Sequence, residues 1–79
     1  MKMEEVIETV IKELKEILDD ETAEINESSN IIEDLDISSL EILELIGNLE
    51  EAYDIELSER EIQKIVTVGD LAEHIQNKL

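Results

Sequence analysis

The chain has 79 residues, a length that fits a single domain (residues 1–79) with a small core. It contains no cysteine, which excludes disulfides, a cysteine nucleophile and thiolate metal sites, and its one aromatic residue, Tyr53, leaves the core to Ile, Leu and Val. The 23 acidic residues outnumber the six Lys and Arg, so the net charge of −17 repels nucleic acid and anionic lipid and favours partners with basic surfaces.

Apolar residues at three-and-four spacing predict a first amphipathic helix over Met3–Leu18. The start, Met1 to Glu5, lacks the basic stretch followed by an apolar run that a signal peptide needs, and no apolar run approaches the length of a membrane span. We therefore expect a soluble, cytoplasmic protein. The regular helical spacing argues against an acidic disordered chain.

A long connection follows the first helix, over 19–37, where the helical spacing breaks. The apolar pair Ile31 and Ile32 in this connection follows four turn-forming residues: Asn26, Ser28, Ser29 and Asn30. Loops of this length in compact domains are often functional or locally ordered, so Ile31, Ile32 and Leu35 are predicted to contact the core.

The second helix is predicted to begin at a capping box formed by Ser38 and Glu41, with Ser39 in the first turn, and to end near Tyr53. One broad arc of this helix is apolar and is predicted to be its buried stripe: Ile42, Leu43, Leu45, Ile46, Leu49 and Tyr53.

Two further capping boxes predict the remaining helices. Ser58 and Glu61 open a short third helix through about Lys64, and Thr67 and Asp70 open the fourth. Their inward-facing residues are predicted to be Ile62, Ile65, Leu71, Ile75 and Leu79. The fold class is thus all-α, an antiparallel four-helix bundle with a long first loop and a short third helix.

Few residues could support catalysis. The single histidine, His74, lies among polar neighbours on the last helix, where a solvated histidine without a role is the usual case. The acidic run from Asp19 to Asp36 lacks the ligand alternation and central glycine of a calcium-binding loop. We therefore predict no catalytic residue and no metal site.

The second helix also has a distinctive outer side. At about 100° per residue, four polar side chains fall within one arc facing away from the core stripe: Glu41, Glu44, Asn48 and Glu51. A charged outer face is common on surface helices, but here it begins beside Ser39, and Leu40 adds an apolar contact off the main stripe. Such a surface could guide a basic partner onto the helix.

Three segments together resemble the signature of the acyl carrier protein family, which reads acidic-Asp-Leu-Gly-x-Asp-Ser-Leu, then an acidic helix ending in Leu-Glu-Glu and an aromatic residue. They are Glu33-Asp34-Leu35-Asp36-Ile37-Ser38-Ser39-Leu40 with Glu41-Ile42-Leu43-Glu44-Leu45, Leu49-Glu50-Glu51-Ala52-Tyr53-Asp54-Ile55-Glu56, and Ile65-Val66-Thr67-Val68-Gly69-Asp70-Leu71. The last segment is similar to the family's threonine-valine entry to its final helix. With the N-terminal helix, the resemblance covers essentially the whole chain.

The resemblance implies that Ser39 is the attachment point of 4′-phosphopantetheine, transferred from coenzyme A by a separate magnesium-dependent phosphopantetheinyl transferase. The arm would carry acyl groups as thioesters between enzymes of fatty acid, polyketide or related biosynthesis, and the carrier itself, a monomer, would catalyse nothing. The transferase and the acyl-transferring or acyl-modifying enzymes would bind through basic surfaces. The partner-binding residues are expected to be Asp36, Ser38, Leu40, Glu41, Glu44 and Glu51.

The sequence departs from the family pattern at three positions. Ser38 replaces the aspartate before the modified serine, Asp36 replaces a glycine, and Gly47 stands where relatives often present a bulky apolar contact. These changes favour a specialised carrier over the general fatty-acid carrier. The alternative is an unmodified acidic helical module that docks a basic protein partner, in which the two serines serve only as helix caps.

Overall fold

A computed structural model of the chain describes residues 2–20, 22–35 and 37–79. Its elements are four helices: α1 (Met3–Leu18), α2 (Ser39–Tyr53), α3 (Glu59–Gln63) and α4 (Val68–Lys78). The predicted bounds of α1 and α2 are confirmed, and α3 ends one residue before the predicted Lys64. The fold is a small all-α four-helix bundle with a long first loop and a short third helix, as predicted.

Capping boxes set the starts of α2, α3 and α4. Ser38, Ser58 and Thr67 are the N-caps, and each side-chain oxygen accepts a hydrogen bond from the backbone amide three residues later. The acidic side chain at that later position accepts in return from the N-cap amide, so each box satisfies two of the amides at its helix start. All three boxes were predicted from their spacing.

The core lies where α1 packs against α2 and α4. Its fully buried side chains are aliphatic: Val6, Val10, Leu14, Leu45, Leu49, Val68, Leu71 and Ile75. Because the core contains no aromatic side chain, its packing depends on many branched aliphatic contacts rather than on a few large rings.

Three residues predicted to be buried are exposed. Leu43 is 59% exposed because it lies four residues after Ser39 and so shares the outer side of α2 with it. Ile32 is 55% exposed because its neighbour Ile31 fills the core position, and Leu79 is 52% exposed because it follows the end of α4. Ile31 is buried and Leu35 is half-buried against the core, as predicted.

The long connection is tied to the start of α4 by backbone hydrogen bonds. The Ile31 amide donates to the Val66 carbonyl at 2.9 Å, and the Val68 amide donates to the Ser29 carbonyl at 3.1 Å. The Gly69 amide donates to the Glu27 carbonyl at 2.9 Å. These bonds fix residues 27–31 of the connection against the start of α4.

The polar residues predicted as turn formers close the turns of this connection. The Asn30 side-chain oxygen accepts from the amides of Ile32 and Glu33 at 3.0 and 2.8 Å. Ser29, the one buried polar residue of the described core, accepts from the Asn26 amide at 2.9 Å. Such side-chain turns hold residues 26–33 of the connection in place.

Candidate functional site

Ser39 is the first residue of α2, and it is exposed to solvent. Its hydroxyl makes no hydrogen bond to any residue that the structure describes. Ser38, its neighbour, is also exposed, but the Ser38 Oγ accepts from the Glu41 amide at 3.2 Å and serves as the N-cap. Of the two adjacent serines, Ser39 is therefore the one whose hydroxyl is not engaged by any described residue.

The start of α2 is suited to a negatively charged group. The Glu41 and Ile42 amides are bonded to the Ser38 side chain and carbonyl. The Ser39 and Leu40 amides have no hydrogen-bond partner among the described residues. Both amides lie at the positive end of the helix dipole. A phosphodiester on the Ser39 oxygen would lie next to these amides.

The rest of α2 is strongly acidic. It contains four glutamates and no lysine or arginine. The Ser38 amide donates to the Glu41 carboxylate at 3.0 Å, and this bond lowers the pKa of Glu41, which stays charged as part of the cap. Glu44 and Glu51 are exposed. A positively charged partner surface would be attracted by these carboxylates along one side of the helix.

An open groove of about 450 Å³ begins at Ser39 and runs between α2 and α3. Its lining is partly apolar, which suits an arm containing both methylene and amide groups: Ser39, Ile42, Leu43, Glu59, Ile62 and Gln63. Leu43, predicted to be in the core, is thus a groove residue.

A second, deeper cavity of about 220 Å³ adjoins this groove. Both are lined by Ile42, Ile62 and Gln63, so these three residues form the wall that the groove and the cavity share. Aliphatic side chains and Gln63 form its wall: Ile31, Ile32, Ile42, Leu45, Ile46, Ile62, Gln63, Ile65 and Leu71. A wall of this composition accepts an alkyl chain without leaving polar groups unpaired.

The other site residues predicted from the sequence do not share one environment. Leu40 is 79% exposed, while Asp36 lies outside the described residues. Asn48, grouped with the acidic arc, instead approaches α1, where its Nδ2 donates to Glu13 Oε2 at 3.4 Å. Sequence analysis did not identify the groove residues on α3, because nothing in a short amphipathic helix indicates which neighbour it faces.

The geometry of the described residues also bears on a membrane span and a metal site. In the part of the chain that the structure describes, no helix combines the length and apolarity needed to cross a bilayer. Over the same residues, no cluster of three or more histidine or acidic side chains has the arrangement of a metal site. His74, predicted to be solvated, is half-buried near Asp70, whose pKa is lowered mainly by the hydrogen bond from the Thr67 amide and to a lesser extent by His74.

Comparison with known proteins identifies the family. Residues 8–75 match the family described as Phosphopantetheine attachment site. The chain is 37% identical to an acyl carrier protein of Chlamydia caviae over 78 residues, covering 99% of this chain and 97% of the relative. It is 45% identical over 58 residues to an acyl carrier protein of Chlamydia felis, covering 73% of this chain and 74% of the relative.

A solved structure supports the same assignment. It is a protein from Mycobacterium tuberculosis assigned as an acyl carrier protein, with a TM-score of 0.84 and 30% identity over 91% of this chain and 96% of the other. The family consists of carrier proteins rather than enzymes. The chain belongs to the acyl carrier protein family, and its cofactor is a covalently attached 4′-phosphopantetheine.

Proposed function

We propose that the Ser39 hydroxyl is the attachment point of the 4′-phosphopantetheine arm. The observation that carries this proposal is the contrast between the two serines at the start of α2. Ser38 uses its hydroxyl to cap the helix, whereas the exposed Ser39 hydroxyl has no partner among the described residues. The amides beside it, which are unpaired among the described residues, and the groove that it lines both suit a phosphate-linked arm.

The chain then acts as a single acyl carrier domain that moves acyl groups between enzymes of fatty acid, polyketide or related biosynthesis. When bound, the arm supplies a thiol that holds the acyl group as a thioester. The protein's part is to confine the arm near each partner's active site and to exclude water from the acyl chain. The aliphatic cavity next to the groove supports the second role, since it would bury alkyl carbons that are otherwise exposed.

The partners of this carrier are a phosphopantetheinyl transferase in the cytoplasm and acyl-transferring or acyl-modifying enzymes. Their basic surfaces would be attracted by the net charge of −17 and guided along α2. The contact residues are Asp36, Ser38, Leu40, Glu41, Glu44 and Glu51. The same charge opposes self-association, so the carrier works as a monomer.

Intact-mass spectrometry tests the attachment point. The purified chain is incubated with coenzyme A, Mg²⁺ and a broad-specificity phosphopantetheinyl transferase, and the same reaction is run on Ser39→Ala and Ser58→Ala. Ser58 is an exposed helix N-cap in α3 and serves as the matched control. We expect the wild type and Ser58→Ala to gain one phosphopantetheine group and Ser39→Ala to gain none.

Fragmentation of the loaded protein then locates the group on Ser38 or Ser39. A group on Ser38, or equal loading of Ser39→Ala, would refute the proposal. Failure of several transferases to load the wild type would favour an unmodified acidic docking module instead.

A further inference from the structure

Gly47 lies in the interior of α2, at a position where the fold does not require glycine. None of the described glycines has a positive φ, so Gly47 has an ordinary helical backbone. A Cβ placed there would meet nothing within 4 Å. Glycine inside a helix lowers stability relative to alanine because its unfolded chain is more flexible. The intramolecular contacts of the protein therefore give no reason for glycine at this position.

The neighbours of Gly47 on the outer side of α2 form a shallow hole. Leu40, Leu43, Glu44 and Gly47 are spaced as residues one, four, five and eight of a helical stretch, so they surround a single point on the helix surface. All four are exposed, with the two leucines 79% and 59% exposed. A hole bounded by four such residues is what receives one side chain of a facing helix in knobs-into-holes packing. The missing Cβ of Gly47 leaves one side of the hole open.

The charges around the hole restrict what can occupy it. Glu44 lies at its edge and Glu51 lies one turn beyond Gly47, both exposed, and α2 contains no cation to balance them. A second copy of this chain would bring the same carboxylates and would be repelled. A helix with lysine or arginine beside a protruding aliphatic side chain would instead match both the charge and the shape.

We propose that this hole, which we name the Gly47 hole, receives a large aliphatic side chain from a basic helix of an acyl-handling partner enzyme. Gly47 selects for such a partner because any side chain at position 47 would fill the space that the incoming residue needs. The proposal rests on the proposed carrier function and adds to it the shape of the partner. A carrier with a bulky residue at this position would favour partners with a complementary recess instead.

Two synthetic helices serve as probes of the hole. Each has about 18 residues and a side-chain staple to keep it helical, with lysines one turn before and after a central residue. The central residue is leucine in one peptide and alanine in the other. Binding to the full-length chain is measured by NMR titration at fixed low salt for the wild type, Gly47→Leu and Ala52→Leu. Ala52 is an exposed small residue elsewhere on α2 and is the matched control.

We expect Gly47→Leu to weaken binding of the leucine peptide about tenfold, because the central side chain loses its buried position. The alanine peptide should change by less than about twofold, since it has little to bury. Ala52→Leu should leave both affinities unchanged. The melting temperature of Gly47→Leu should be about 2–8 °C above that of the wild type. Such an increase would show that the loss of binding is not caused by unfolding.

The proposal is overturned if the leucine peptide does not bind the wild type, if both peptides lose affinity equally, or if Ala52→Leu has the same effect as Gly47→Leu. Neither peptide requires the Ser39 hydroxyl. If Ser39 is not loaded with phosphopantetheine but the peptides bind as expected, the result counts against the carrier function alone. If Ser39 is loaded but the peptides do not bind as expected, the result counts against the Gly47 hole alone.

Discussion

Substitution of Ser38 separates its role as a helix cap from the role of its neighbour. Ser38→Ala removes the oxygen that accepts from the Glu41 amide at 3.2 Å. The reverse bond, from the Ser38 amide to the Glu41 carboxylate at 3.0 Å, uses the backbone and can remain. Only half of the capping box is lost, and water can reach the freed amide, so we expect a loss of about 1 kcal/mol in the free energy of unfolding.

The expected loss corresponds to a decrease of roughly 4–8 °C in melting temperature for a domain of this size. Ser38→Asp keeps an acceptor at the cap and adds a negative charge at the positive end of the helix, but that charge lies beside the Glu41 carboxylate. Because these effects oppose each other, Ser38→Asp should stay within about 0.5 kcal/mol of the wild type. Urea unfolding followed by circular dichroism at pH 7 measures both variants.

The other capping boxes supply the comparison. Ser58 Oγ accepts from the Glu61 amide at 3.2 Å, the same distance as in the Ser38 box. Helix α3 has five residues and none of them is buried, so Ser58→Ala can fray the helix without opening the core and should cost less than Ser38→Ala. A wild-type urea midpoint for Ser38→Ala would contradict the stabilising role of the Ser38 cap. Equal instability of Ser38→Asp and Ser38→Ala would contradict it as well.

Three further predictions concern the core, the first connection and the pH dependence. Leu49→Ala should lower the free energy of unfolding by about 2–5 kcal/mol, whereas Leu43→Ala should change it by less than about 0.5 kcal/mol; equal losses in urea unfolding would contradict the burial of only the first. Gly69→Ala should lower the melting temperature, because its Cβ would lie 3.2 Å from a backbone carbonyl of the connection; an unchanged melting temperature would contradict that close approach. Hydrogen bonds from the Thr67 and Val66 amides, together with the charge of His74, lower the pKa of Asp70 below 3.8, so its charged form stabilises the fold above that pH and this contribution is lost as the pH falls through the lowered value. Asp70→Asn should therefore be less stable than the wild type at pH 7, and the difference should shrink as the pH falls below 3.8; a difference that stays constant in urea titrations over this pH range would contradict this.

The four helices were predictable from the sequence because a local pattern marks each of them. The three capping boxes involve residues only three positions apart, and the apolar spacing of α1 continues over 16 residues. Such short-range patterns do not depend on how the helices later pack. The position of Ser39 in the first turn of α2 was predicted for the same reason, since it follows directly from the cap at Ser38.

The errors arose where two elements compete for the same space. Leu43 fits the apolar pattern of α2 as well as Leu45 does. Leu45 is buried, but α3 does not cover Leu43, which lines the open groove. Ile31 and Ile32 are adjacent and equally apolar, and the Asn30 turn allows only Ile31 to reach the core. Spacing along one helix shows which residues share a side, but not how far a neighbouring element covers that side.

By itself, the sequence determined the four helices, the absence of thiol chemistry, the strong negative charge and the serine at the start of α2, because each depends on composition or on residues a few positions apart. Only the tertiary structure decided that α2 and α3 form a groove at Ser39, that an aliphatic cavity adjoins this groove, and that Leu43 is exposed while Leu45 is buried. Those features depend on distances between segments that are remote in the chain, or on space left empty, and neither is encoded in local spacing.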